Sequence, residues 1–199
     1  PKNLAQVCSE FDTILIQIST DFVFDGEKTE PYVETDVANP ISVYGASKLQ
    51  GEVEIQKTYK KHFIIRTSWL YCEHGTNFMT TMVRLAETRD EISVVSDQIG
   101  TPTYAGDLAE VILKIVRSKN TNFGLYHYSN DGVASWYDFA KAIFEESNKE
   151  IRLNPIKTEA YPTPAKRPVY SVMDKTKIKS VLGIEIQFWD DHIKTIINI

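Results

Sequence analysis

Ser19-Thr20-Asp21 closes an apolar run, and Tyr44 and Lys48 follow at i and i+4. Four residues apart on a helix, a phenol and an ammonium share a face. A free phenol, with a pKa of ~10, transfers protons poorly near neutrality. A neighbouring ammonium favours the phenolate and draws that pKa toward the working range. Lysine keeps further donors for a ribose hydroxyl, and the Thr20 hydroxyl can hydrogen-bond a carbonyl and hold it under Tyr44. Proton donation to a carbonyl oxygen is the chemistry available to this set. The hydride must come from a cofactor, because no side chain supplies one. Spacing alone does not single the set out: with ten tyrosines, about one Tyr-x-x-x-Lys is expected by chance. A second copy, Tyr137 to Lys141, is flanked by Trp136 and Phe139 and follows no strand-end hydroxyl. It reads as packing.

The elements around the first copy suit the chemistry. Residues 13–18 form a short apolar, β-branched run, as a strand buried on both faces of a parallel sheet requires. Residues 20–41, with Asp25-Gly26, Pro31 and Asn39-Pro40, read as a long loop, and loops of that length in compact domains are usually functional or disordered. Helical spacing over 43–60 places Leu49, Val53 and the stem of Lys57 on one stripe. Phe63 to Ile65 is a second strand, leading into Arg66-Thr67-Ser68-Trp69, and helical spacing resumes over 77–89. Ile92 to Val95 is a third strand, 97–103 a polar turn, and 105–116 an amphipathic helix burying Leu108, Val111, Ile112 and Ile115. Beyond Gly124 short aromatic pieces alternate with a helix at 136–144, a Pro-rich link, and helical patches at 174–182 and 189–197.

This alternation predicts an α/β fold: a partial Rossmann-like parallel sheet over 1–120, with some insertions from the substrate lobe, and a smaller mixed α/β substrate lobe over 121–199. Ligands of open α/β sheets bind at the carboxyl ends of the strands, where Thr20 and Thr67 to Trp69 fall. Trp69 reads either as a platform for a sugar or base or as core. Arg167 is either a phosphate grip or simply exposed, and Asp107 suits the first turn of its helix. His62, His74, His127 and His192 show no metal-ligand spacing, so no metal site is expected.

Among 199 residues, 42% hydrophobic and 25% charged, there is material for a sizeable core, and a net charge of −5 without a basic stripe argues against nucleic acid as partner. Two cysteines cannot build a disulfide framework, which points to a reduced, cytoplasmic setting. No apolar run approaches ~18 residues, so no membrane span is expected. Leu4, Ala5 and Val7 read as one face of a helix already under way at Pro1, so the chain is expected to begin inside a larger fold.

STDFVFDG (19–26), YGASKLQGE (44–52), RTSWLY (66–71), Asn77-Phe78, DQIGTPTYAGDLA (97–109) and RPVYSVMD (167–174) closely resemble the dTDP-4-dehydrorhamnose reductases of the extended short-chain dehydrogenase/reductase family. YxxxK alone would suggest only the superfamily; STDFVFDG with DQIGTPT is far more specific. The resemblance spans essentially the whole chain, in the family's order. It implies reduction of the 4-keto group of dTDP-4-dehydro-L-rhamnose by NADPH or NADH. Tyr44 would donate the proton, Lys48 would bind the nicotinamide ribose and assist, and Thr20 would orient the carbonyl. Tyr44, Lys48 and Thr67 would form the cofactor side, and Thr20, Asp21, Trp69 and Arg167 the side of the nucleotide-sugar substrate. The resemblance leaves Mg²⁺, as used by some relatives, open, and it admits a homodimer. A non-catalytic regulatory subunit of reductase-like sequence and a related NDP-sugar epimerase or dehydratase are the alternatives. The intact Thr20/Tyr44/Lys48 set opposes the first and DQIGTPT the second.

The family's chain opens with a strand and a glycine-rich phosphate loop, whereas the nine glycines here form no such cluster. Without those backbone donors a dinucleotide diphosphate lacks its cradle, and the strand at 13–18 would show an apolar edge. The chain alone is therefore expected to bind NADPH weakly or not at all, and activity is expected to need the N-terminal part of the same enzyme.

Overall fold

The computed structural model describes residues 1–197. Helix α1 (Lys2–Glu10) buries only Ala5, and Leu4 and Val7 stand exposed. Strand β1 (Leu15–Thr20) begins two residues later than the apolar run and ends on Thr20. Helix α2 (Val43–Thr58) starts at Ser42, whose hydroxyl accepts the Gly45 N–H and satisfies one of the free donors of the first turn. Strand β2 (His62–Thr67) is buried along its whole length, as a central parallel strand should be. Next come β3 (Leu70–Tyr71), α3 (Phe78–Leu85) with a reciprocal Asn77/Thr80 cap, β4 (Glu91–Val95), β5 (Ile99–Gly100), β6 (Thr103–Tyr104) and α4 (Ala105–Ser118). The chain continues with β7 (Gly124–His127), β8 (Ala134–Ser135), α5 (Trp136–Glu146), β9 (Arg152–Ile156), α6 (Thr176–Leu182) and α7 (Ile193–Ile197). No helix of the described residues is long and apolar enough to cross a membrane.

The main sheet is parallel, in the order β1-β2-β7. One face packs against α1 and α2 through Ala5, Leu15, Ile55 and Ile64. The other packs against α4 and α6 through Phe63, Ile65, Leu108, Val111, Ile115 and Ile178. This is the partial Rossmann-like α/β arrangement, and β1 has no partner on its outer edge among the described residues. The register pairs Ser19 with Arg66 and Thr20 with Thr67, so β1 and β2 end level.

The third strand read from the sequence exists, but it lies outside this sheet. Residues Glu91–Val95 alternate between exposed and buried at their start, the mark of a strand with one solvated face. They pair with β9, which arises within the Pro-rich link. Pro155 is tolerated there because a two-stranded sheet has open edges where its missing N–H costs nothing. β4 thus joins the lobe built on α3, α5 and α7, whose core includes Met79, Met82, Ile92, Phe139, Ile143 and Ile193. β7, past residue 120, belongs to the main sheet.

Helix α2 also departs from its expected stripe. Its inward residues are Gly45, Gly51, Glu52 and Ile55, while Leu49 and Val53 are half-buried and Lys57 is exposed. The reason is proximity: a Cβ on Gly45 would sit 2.0 Å from the Phe22 carbonyl oxygen in the turn after β1. Backbone against backbone leaves no room for a side chain. Helix propensity alone favours alanine over glycine by ~1 kcal/mol, so Gly45→Ala separates the two effects. We expect a net loss of at least ~2 kcal/mol in urea denaturation; a neutral or stabilised variant would contradict the close approach.

Candidate active site

The level ends of β1 and β2 form the floor of a cavity of about 400 Å³. Its walls bring together all seven residues singled out from the sequence: Thr20, Asp21, Tyr44, Lys48, Thr67, Trp69 and Arg167. They reach it from four separate parts of the chain. Tyr44 and Lys48 come from the first turns of α2, Thr20 and Thr67 from the strand ends. Trp69 follows β2, and Arg167 comes from the link after β9. The second Tyr-x-x-x-Lys lies elsewhere: Tyr137 packs against the lobe core and Lys141 pairs with Glu145.

Lys48 and Thr20 are each held by specific partners. Lys48 Nζ donates to the Ile18 carbonyl at 2.7 Å, leaving two of its three donors for other acceptors. The Thr20 hydroxyl donates to Asp21 Oδ1 at 3.0 Å and accepts the Phe22 N–H at 3.2 Å. Tyr44 is half-exposed, with its ring edge-on to Phe22 at 5.9 Å. Its phenol is therefore open to a ligand entering the cavity. Of the buried side-chain oxygens without a hydrogen-bond partner, Asp21 Oδ2 and Thr67 Oγ1 belong to residues that line this cavity. Buried polar atoms are nearly always paired, so two open oxygens on residues around one cavity stand out.

Trp69 is neither simple core nor an isolated platform. Its backbone is left-handed (φ 44°), which is uncommon for a bulky residue. Its ring stacks on Trp136 with centroids 3.6 Å apart and planes 6° apart. Gly100 backs the stack, since a Cβ there would lie 2.6 Å from the Trp69 ring. The Trp136 Nε1–H donates to Gln98 Oε1 at 3.2 Å. In the sequence Trp136 stands only as a neighbour of Tyr137, with no role of its own. It occupies the first position of α5, just after the Ser135 cap, and helical side chains lean toward the N-terminus. A tryptophan directly after a capping serine was the available signal.

A second, larger cavity of about 720 Å³ shares Trp136 and Arg167 with the first and runs over α3 and β4, past Asn77, Phe78, Val94 and Gln98. Arg167 itself is exposed, but the segment behind it is tied down on two sides. Val169 and Ser171 exchange backbone hydrogen bonds with Ile99, and Val172 and Asp174 do so with Tyr32. Gly26, at φ +84°, turns so tightly against this segment that a Cβ would meet the Val169 nitrogen at 2.7 Å.

Burial pushes the Asp21 carboxyl up to about 6, against the hydroxyls of Ser171 and Thr20, which pull it down. Because the folded value exceeds the usual 3.8, the folded state holds this proton more tightly than the unfolded chain. The resulting stability is full below about pH 4 and is lost as pH rises through about 6. His127 acts in the opposite sense: burial, then the adjacent Arg66, depress it from 6.5 to about 3, so its contribution grows with pH across that window. Comparing wild type with Asp21→Asn at each pH cancels His127. We expect the stability difference, wild type minus variant, to fall by ~2 kcal/mol between pH 4 and pH 7. A difference independent of pH would contradict a carboxyl whose burial outweighs its hydrogen bonds.

The sequence matches the RmlD substrate binding domain family over residues 1–199. It is 43% identical to the dTDP-4-dehydrorhamnose reductase of Aggregatibacter actinomycetemcomitans, over 97% of this chain and 69% of that protein. The crystal structure of a dTDP-4-dehydrorhamnose reductase from Clostridium acetobutylicum superposes with a TM-score of 0.95 at 44% identity, covering 100% of this chain and 70% of that one. The enzyme from Bacillus anthracis, solved in complex with NADP, gives 0.92 at 40% identity, with 98% of this chain and 69% of that one covered. Sequence, fold and the gathering of these side chains around one cavity agree: the chain belongs to the RmlD substrate-binding-domain family, that of the dTDP-4-dehydrorhamnose reductases.

Proposed function

We propose that this chain forms the sugar-binding and proton-donating side of an NAD(P)H-dependent reductase acting on dTDP-4-dehydro-L-rhamnose. The observation that carries this reading is the convergence of Thr20, Tyr44 and Lys48 on one cavity that opens, past Trp136 and Arg167, into a second. The keto sugar takes the smaller cavity, against Trp69. The nucleotide takes the larger, with Arg167 at the join, where a guanidinium suits a diphosphate.

A bound nicotinamide cofactor supplies the hydride that reduces C4. The side chains do the rest. Tyr44 gives its phenolic proton to the C4 oxygen as negative charge develops there, and Lys48 holds that phenol and a ribose hydroxyl with its two free donors. Thr67 Oγ1, buried without a partner, suits the same cofactor. Thr20 has a single proton, now directed at Asp21, and it must turn from Asp21 to donate to the carbonyl. The glycines of this chain provide no cradle for the cofactor's diphosphate; we assign that to the part of such enzymes that this chain does not span. Cys8 and Cys72 are free thiols, which suits a cytoplasmic setting.

Replacing Tyr44 by phenylalanine removes the proton and little else. In the complete protein, Tyr44→Phe should lower kcat for NADPH oxidation with dTDP-4-dehydrorhamnose by ~100-fold or more. Turnover close to wild type in steady-state assays would remove Tyr44 from the mechanism.

A further inference from the structure

Beside the cavity lies a buried charged pair, Glu52 and Arg66, neither of which lines it, tied to Ser19, which does. Glu52 and Arg66 are 2% and 3% exposed. Arg66 Nε donates to both Glu52 oxygens at 3.0 and 3.2 Å, and Nη2 donates to Oε2 at 2.7 Å. The Ser19 hydroxyl donates to Glu52 Oε1 as well. The guanidinium lies over the Phe24 ring at 5.1 Å, with His127 Nε2 3.5 Å from Nη1.

The placement of these residues matters more than their energy. Tyr44, Lys48 and Glu52 are i, i+4 and i+8 on α2 and so share one face. Ser19 and Arg66 are paired across β1 and β2, each one residue before the strand-end threonine of its strand. Glu52 therefore ties the helix bearing Tyr44 and Lys48 to both strands that end in Thr20 and Thr67. A buried ion pair contributes little net stability over a well-packed apolar pair, because desolvation offsets the attraction. What it supplies is a fixed position, since a bidentate fork tolerates little sliding.

We propose that Glu52 and Arg66 are positioning residues for the reductase site: their pairing sets the register of α2 against β1 and β2, and thereby the placement of Tyr44 and Lys48 over Thr20. This rests on the reductase reading for its kinetic consequence, though not for its structural one. The double variant Glu52→Leu/Arg66→Met replaces the pair by apolar side chains and leaves no buried charge unpaired. In the complete protein it should melt at or near the wild-type temperature. It should nonetheless lose ~10-fold or more in kcat, while KM for the sugar nucleotide stays within about twofold. A second readout needs neither cofactor nor turnover. Amide hydrogen exchange at Gly45 to Lys48 should speed up ~10-fold or more in the double variant, while core strand amides exchange as in wild type.

A double variant with wild-type kcat and unchanged exchange at Gly45 to Lys48 would overturn the proposal. Should that variant fail to fold, Ser19→Ala removes one anchor without disturbing a charge. It should give the same pattern at smaller amplitude, about threefold in both readouts, and wild-type values for it would overturn the proposal equally. If wild-type protein itself fails to oxidise NADPH with this substrate, the reductase reading falls, and the exchange measurement still decides the positioning role.

Discussion

The closeness of α2 to the ends of β1 and β2 is the constraint on which the rest of the site depends. Gly45 meets the Phe22 carbonyl with no space for a Cβ, Lys48 reaches the Ile18 carbonyl, and Glu52 is buried against Ser19 and Arg66. A helix docked through leucines would stand farther off. Small and charged residues bring it closer and put a phenol and an ammonium on the cavity that the two strand-end threonines also line. Affinity for the sheet is supplied elsewhere, by Ile55 with Ala5 and Ile64.

Around that contact the molecule divides its labour by polarity. The apolar cores lie on the two faces of the sheet and inside the lobe, and the buried polar atoms gather at the strand ends. Some of those polar atoms are fully paired, as Glu52 with Arg66 is. Others are left open, as Asp21 Oδ2 and Thr67 Oγ1 are. Paired groups fix geometry. Asp21 illustrates the cost: its carboxyl is raised to about 6 because burial is only partly offset by hydroxyls, a perturbation characteristic of working sites more than of structural ones.

Much of this was legible in the sequence where the signal is local. β-branched runs announced β1 and β2, and the amphipathic spacing of Leu108, Val111 and Ile115 announced α4. Tyr44, Lys48, Thr20 and Trp69 were chosen from residue type and from resemblance, and all line one cavity. What could not be read was contact between distant segments. Nothing near Glu91–Val95 says that its partner is Arg152–Ile156, and nothing in Leu49 or Val53 says that α2 turns glycines and a glutamate inward instead. Trp136 had no readable role because its stacking partner, Trp69, is 67 positions earlier in the chain. The buried Arg66 was hidden in a run whose other members are apolar or hydroxylic.

The central claim is that hydride arrives at C4 of the sugar while Tyr44 protonates its oxygen. Mass spectrometry of the product tests it directly. The complete protein is incubated with dTDP-4-dehydro-L-rhamnose and NADPH deuterated at both C4 positions of the nicotinamide. The account predicts dTDP-L-rhamnose carrying deuterium at sugar C4. Product without deuterium there, or no product from protein that is folded and binds both ligands, would contradict it.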